Sequence, residues 1–142
     1  MVWRMKIVLV LLPVFLLAAL PMCADESRPA PAPEAKVATV REVTPDEAEK
    51  LLKDNPKVIV LDVRTPEEFA KGHIPGAKNV DFLGDDFAKG AKGLDPQTPI
   101  LVHCAAGGRS TQALDSLKDK TVVYHLKAGF KAWEKAGKPV EK

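Results

Sequence analysis

The chain is poor in cysteine: Cys23 and Cys104 are the only two in 142 residues. It also lacks a charge imbalance, an internal repeat and a long apolar run beyond the N-terminus. Each scarcity excludes something. The first 24 residues hold no acidic residue, and Arg4 and Lys6 are their only basic ones. Setting those two aside leaves 19 of the 21 basic residues against 19 acidic ones, so the remaining chain is formally neutral. Scattered, balanced charge leaves no electrostatic footprint for nucleic acid.

Arg4 and Lys6 are followed by the apolar stretch Ile7 to Leu20, and Pro21-Met22-Cys23-Ala24 then leads into Asp25-Glu26. This order predicts a signal peptide over residues 1–24, cleaved after Ala24 and exporting the protein to the periplasm or the medium. The apolar stretch contains Pro13 and falls short of the roughly 20 residues of a bilayer-crossing helix, so no membrane span is expected after cleavage. Lipidation is the competing reading, because Leu20-Pro21-Met22-Cys23 loosely resembles a bacterial lipobox. Met22 stands there where a small residue is usual. Residues 25–36 are rich in Pro and Ala, have almost no apolar bulk, and read as an extended tether. The folded domain is expected over 37–142, enough chain for one core.

With Cys23 removed, Cys104 has no intramolecular disulfide partner and cannot take part in a cysteine-based zinc cluster. His73, His103 and His125 show no metal-ligand spacing. Buried filler and nucleophile are the two roles left for Cys104.

Thr44-Pro45-Asp46-Glu47 and Thr65-Pro66-Glu67-Glu68 each carry an N-cap threonine, a first-turn proline and a glutamate three residues on. The first predicts a helix to about Asp54, the second one closed by Gly72. Val58 to Leu61 and Pro99 to Val102 are continuous apolar runs, as in strands covered on both faces. Further strands are expected over Asn79–Phe82 and Thr121–Leu126, and helices over Arg109–Leu117 and Phe130–Ala136; the segment before Pro99 reads as a loop containing Asp95-Pro96. Alternating strands and helices imply an α/β domain with a mostly parallel sheet, whose reactive groups gather at the carboxyl ends of the strands.

Cys104 stands at such an end, in His103-Cys104-Ala105-Ala106-Gly107-Gly108-Arg109-Ser110-Thr111. Ala105 and Ala106 add no bulk. Gly107 and Gly108 permit backbone N–H groups to turn inward, and the following helix start and Arg109 favour negative charge. These features stabilise an exposed thiolate. Residues 105–110 would form a cradle for sulfur or a small anion. Adjacent residues at a strand end project to opposite faces, which argues against His103 as a general base.

Leu61-Asp62-Val63-Arg64-Thr65-Pro66-Glu67-Glu68-Phe69, then Gly72-His73-Ile74-Pro75-Gly76-Ala77 and Asn79, and finally Cys104 to Ser110, together resemble the single-domain rhodaneses. Ala128-Gly129-Phe130, Trp133, Gly137 and Pro139-Val140 extend the likeness, which covers about Val40 to Val140. The resemblance implies a three-layer α/β fold with a mostly parallel central sheet flanked by helices. It also implies sulfane-sulfur transfer through a Cys104 persulfide, from thiosulfate or another persulfide to cyanide or a thiol, including a partner protein's thiol. No metal or organic cofactor is implied.

A non-catalytic carrier or binding module is the alternative, disfavoured because Cys104 is present. A cysteine-dependent phosphatase is less favoured still: five residues separate cysteine from arginine in the related phosphatases, and four separate Cys104 from Arg109. Ala105 replaces a basic residue common in thiosulfate-using members, so weak thiosulfate use is expected. Asp62 and Arg64 are expected to pair with each other as supporting residues rather than react. His73 is expected to close a turn, and Phe130 and Trp133 to pack in the core.

Overall fold

The computed structural model describes residues 38–142; the predicted signal peptide, Cys23 and the tether lie outside them. Five parallel strands form one sheet in the order β1-β5-β4-β2-β3. They are β1 (Thr39–Glu42), β2 (Ile59–Asp62), β3 (Lys78–Asn79), β4 (Ile100–His103) and β5 (Val122–His125). Between them run α1 (Pro45–Asp54), α2 (Pro66–Ala70), α3 (Phe87–Lys92) and α4 (Gly108–Ala113), the last continued by a 3-10 turn over Leu114–Leu117. Helix α5 (Gly129–Lys135) follows β5.

The central strands explain the two apolar runs. All four residues of β4 are buried, as are three of the four in β2. Their side chains alternate between two cores. Leu61, Val63, Ile100, Val102, Cys104 and Val123 pack with Phe87, Ala91, Ala113 and Leu117 from the α3 and α4 side. Val58, Val60 and Leu101 pack with Ala48 of α1 and with Phe130 and Trp133 of α5. Three layers result. Among the described residues, no helix is long and apolar enough to cross a membrane.

Both expected capping boxes form: Thr44 and Thr65 accept from the N–H groups of Glu47 and Glu68, and each glutamate reaches back to its cap residue's N–H. Trp133 lies in the core with its indole N–H on the Pro139 carbonyl at 2.7 Å. His73 stacks on Phe69 and bonds across to Glu141 through the backbone, while the turn expected of it is closed by the Ala77 N–H on the Ile74 carbonyl at 3.0 Å.

Several expectations need correction. β1 is an edge strand whose four residues are all exposed, so no apolar run announces it. α3 occupies part of the stretch read as loop; it lacks a side-chain cap and carries Gly90, both weak signals for a helix. The strand expected over Asn79–Phe82 is instead the short β3, because Asp81 turns the chain by accepting from the Leu83 N–H through its side chain and from Gly84 through its carbonyl. The helix expected over Arg109–Leu117 begins at Gly108 and tightens to 3-10 geometry after Ala113.

Candidate active site around Cys104

β2, β4 and β5 end side by side, with Asp62 registered against His103 and Val102 against His125. Cys104 follows β4 directly, and its side chain falls on the α4 face. The Gly107 N–H donates to Cys104 Sγ at 3.1 Å, and the Ser110 hydroxyl lies 3.6 Å from the sulfur. Burial alone would push the Cys104 thiol up. The amide and hydroxyl of Ser110, with the amides of Ala106 and Gly107, outweigh it and hold the thiol below its ordinary pKa. α4 has only six residues, so these discrete donors carry the stabilisation more than a helix dipole does.

Cys104 is not exposed, as the sequence suggested, but 2% accessible. The inward donors that favour the thiolate also enclose it. An attacking or leaving group must therefore be narrow at the reacting atom.

The loop is held open by backbone contacts from the first turn of α5. The Phe130 and Lys131 N–H groups donate to the carbonyls of Cys104 and Ala105 at 2.8 and 3.1 Å. Those carbonyls are drawn outward, leaving the loop amides free to face the sulfur. Two glycines permit this approach. Gly107 is left-handed (φ 96°), and a Cβ there would collide with the Lys127 carbonyl oxygen. Gly129 is also left-handed (φ 72°), and a Cβ there would lie 2.5 Å from the Ala105 carbonyl oxygen. Gly129 belongs to the quoted C-terminal motif, yet only its spatial approach to Ala105 reveals what it does.

Arg109 is less available than the sequence implied. Its guanidinium makes a bidentate pair with Glu68 of α2, at 2.6 and 2.9 Å. That pairing holds the Glu68 carboxyl at about 2, against the opposing effect of burial, and raises Arg109. Glu68 thus caps α2 and ties it to α4, while offsetting part of the positive potential near Cys104. Its capping role was legible from spacing; its partner 41 residues away was not.

Asp62 and Arg64 pair on the opposite face of the sheet. Arg64 Nη2 lies 2.6 Å from Asp62 Oδ2 and 2.8 Å from the Gly72 carbonyl, and the guanidinium sits 4.0 Å over the Phe130 ring. Asn79 ties in both backbone carbonyls, at 3.1 and 2.8 Å. None of these is a hydrogen bond to Cys104. His103 belongs to this cluster: fully buried, it has Nε2 3.7 Å from Asp62 Oδ2 and without a hydrogen-bond partner. Burial lowers its pKa to about 4, although Asp62 opposes the shift.

A cleft of about 210 Å³ beside the loop is lined by Arg64, Glu68, Lys71, Ala105, Lys131 and Glu134, with cations and carboxylates mixed. A larger surface depression of about 600 Å³, bordered by Asn79, Asp81, Phe87 and Lys89, contains no residue of the Cys104 loop. Among the described residues, no group of three or more His, Cys, Asp and Glu side chains is placed to hold a metal ion. His125, silent in the sequence, contacts Ser110 Oγ through Nε2 at 2.9 Å.

The sequence profile described as the Rhodanese-like domain matches residues 44–136. Thiosulfate sulfurtransferase 16, chloroplastic, of Arabidopsis thaliana is 36% identical over 97 residues, covering 57% of this chain and 78% of that one. Thiosulfate sulfurtransferase GlpE of Ectopseudomonas mendocina is 32% identical over 96 residues, covering 66% and 84%. The crystal structure of a rhodanese-related protein from Thermoplasma volcanium superposes with a TM-score of 0.62 at 27% identity, over 71% of this chain and 97% of that one.

Proposed function

The chain belongs to the rhodanese-like family, and from that premise we propose that it is a sulfurtransferase working through a persulfide on Cys104. The observation that carries the reading is the set of donors, Gly107 N–H and Ser110 Oγ–H, converging on one sulfur in the Cys104 to Ser110 loop. In the first step the Cys104 thiolate attacks the outer sulfur of the donor. A new S–S bond forms as the donor's S–S bond breaks, and sulfite or a thiolate leaves with the electron pair. In the second, cyanide or a thiolate attacks the terminal sulfur, and the Cys104 thiolate departs. The loop donors serve both steps because negative charge returns to the same place.

The geometry favours a persulfide over thiosulfate as donor. Ala105 brings no cation, and Glu68 occupies the Arg109 fork that a dianion would need. The proposal also includes export, with residues 1–24 as signal peptide, 25–36 as tether and 37–142 as the working domain, and a partner protein thiol as one acceptor. Thiocyanate formation from thiosulfate and cyanide, run beside sulfur transfer from a low-molecular-weight persulfide to a thiol, tests the reading. Turnover with the persulfide exceeding that with thiosulfate is expected. A Cys104→Ser variant that retains wild-type turnover with either donor would sink it.

A further inference from the structure

The mechanism above leaves the buried imidazole of His125, on the Cys104 face, without a role. His125 ends β5 on the same side as Val123 and Cys104, is 1% accessible, and among the described residues makes one side-chain hydrogen-bond contact, with Ser110. Ser110 is itself fully buried, and its Oγ has three polar neighbours: the Gly107 carbonyl at 3.0 Å, Cys104 Sγ at 3.6 Å and His125 Nε2 at 2.9 Å. A hydroxyl has one proton to give and lone pairs that accept. Where that proton points decides whether Ser110 helps or opposes charge on the sulfur.

The neighbours settle the direction. The Gly107 carbonyl already accepts from the Thr111 N–H and the Thr111 hydroxyl, both at 2.9 Å, which fills its two lone pairs. The Ser110 proton is therefore left to choose between sulfur and imidazole. A thiolate can only accept. If Ser110 donated to His125, its oxygen lone pairs would face the anionic sulfur; if His125 donates to Ser110, the proton is directed onto Sγ and all three groups are satisfied.

We propose that His125 is a positioning residue for Cys104: its Nε2–H donates to Ser110 Oγ and thereby commits the Ser110 proton to the sulfur. The inference rests on Cys104 as the reactive thiol and is independent of which group that thiol transfers. Desolvation by burial, the largest effect on His125, lowers its pKa, so the ring stays neutral and carries one proton to donate. The charged groups that bear on the ring are Glu42 at the end of β1 and Lys127 after β5, which pair with each other at 2.9 Å. Cys104 is influenced in addition by Arg109 of α4, which is tied to Glu68 of α2 and faced by Asp81 after β3. His103, Asp62 and Arg64 lie on the other face.

The test is the pH dependence of iodoacetamide alkylation in the full chain, read at the Cys104 peptide by mass spectrometry so that Cys23 does not contribute. His125→Leu and Ser110→Ala should each raise the alkylation midpoint by about one unit, the scale of one hydrogen bond to a charged group. The double variant should rise no further than Ser110→Ala. His125→Gln, whose side-chain amide reaches the Nε2 position with an N–H, should restore most of the shift. An unmoved or lowered midpoint in His125→Leu overturns the proposal. Nitrogen-15 spectra of the wild type read the tautomer directly, whatever the variants' folding: an Nε2–H ring at His125 is expected, and an Nδ1–H ring refutes it. A shifted midpoint in a protein that transfers no sulfur would support this inference and defeat the sulfurtransferase reading instead.

Discussion

Cys104 and His103 are neighbours in the chain and both are buried, yet they face opposite cores and are solvated in opposite ways. Cys104 is surrounded by donors that belong mainly to the backbone of a loop shaped at Gly107 and Gly129, none requiring a counter-charge. His103 sits in a cluster of side-chain charges that satisfy one another, with Arg64 closed onto Asp62, Gly72 and the Phe130 ring. The difference lies in what remains free. Neutral donors can hold an anion that comes and goes; a closed ion pair cannot release its charge to a substrate. Reactivity and stability are thus divided between the two faces of one sheet.

The division predicts its own failures. Cys104→Ser should reduce sulfur transfer to the uncatalysed background, a loss of at least about a thousandfold, whereas His103→Leu should leave kcat within about twofold because no proton passes through it. Equal losses in a thiocyanate assay would erase the distinction. Arg64→Leu leaves the Asp62 carboxylate buried and uncompensated, and should cost about 3–5 kcal/mol in urea unfolding. A loss under about 1 kcal/mol would mean the pair is not the buried brace it resembles. Gly107→Ala forces a Cβ toward the Lys127 carbonyl in a left-handed conformation. It should cost about 1–3 kcal/mol and also raise the Cys104 alkylation midpoint, coupling the two faces' separate readouts at one residue.

These predictions show where the sequence was informative. The Cys104 loop was legible because its chemistry is local: small residues, two glycines, an arginine and a serine within six positions. Central strands and capped helices were legible for the same reason, each carrying its signal in a few consecutive residues. What was hidden depends on distant partners. Glu68 meets Arg109, Gly129 yields to Ala105, and His125 reaches Ser110 only once β4, β5 and α4 have packed. β1 carries no signal because an exposed edge strand needs no apolar alternation, and the enclosure of the sulfur is not legible from small residues whose lack of bulk reads as open space.

Acid should act on the buried imidazoles, and His103 carries a defined part of that effect. The folded pKa of about 4 lies below the ordinary value of roughly 6.5, so between these values the unfolded chain binds the extra proton. Stability should therefore fall as pH drops from about 6.5 toward 4, at up to about 1.4 kcal/mol per pH unit, and His103→Leu should flatten that slope. Denaturant midpoints at several pH values check it, and an unchanged slope in the variant would assign the acid sensitivity elsewhere. A modest effect is expected of Glu68→Gln, which frees the Arg109 fork. The KM for thiosulfate should fall about fivefold with kcat little changed, as expected for a partly exposed charge.

The most direct measurement is the intact mass of the wild-type protein and of Cys104→Ser after incubation with a persulfide donor, before and after cyanide. A gain of one sulfur atom at Cys104, removed by cyanide and missing from the variant, is the predicted result. A wild-type protein that gains no sulfur, or a variant that gains it equally, would contradict the assignment of this loop to sulfur transfer.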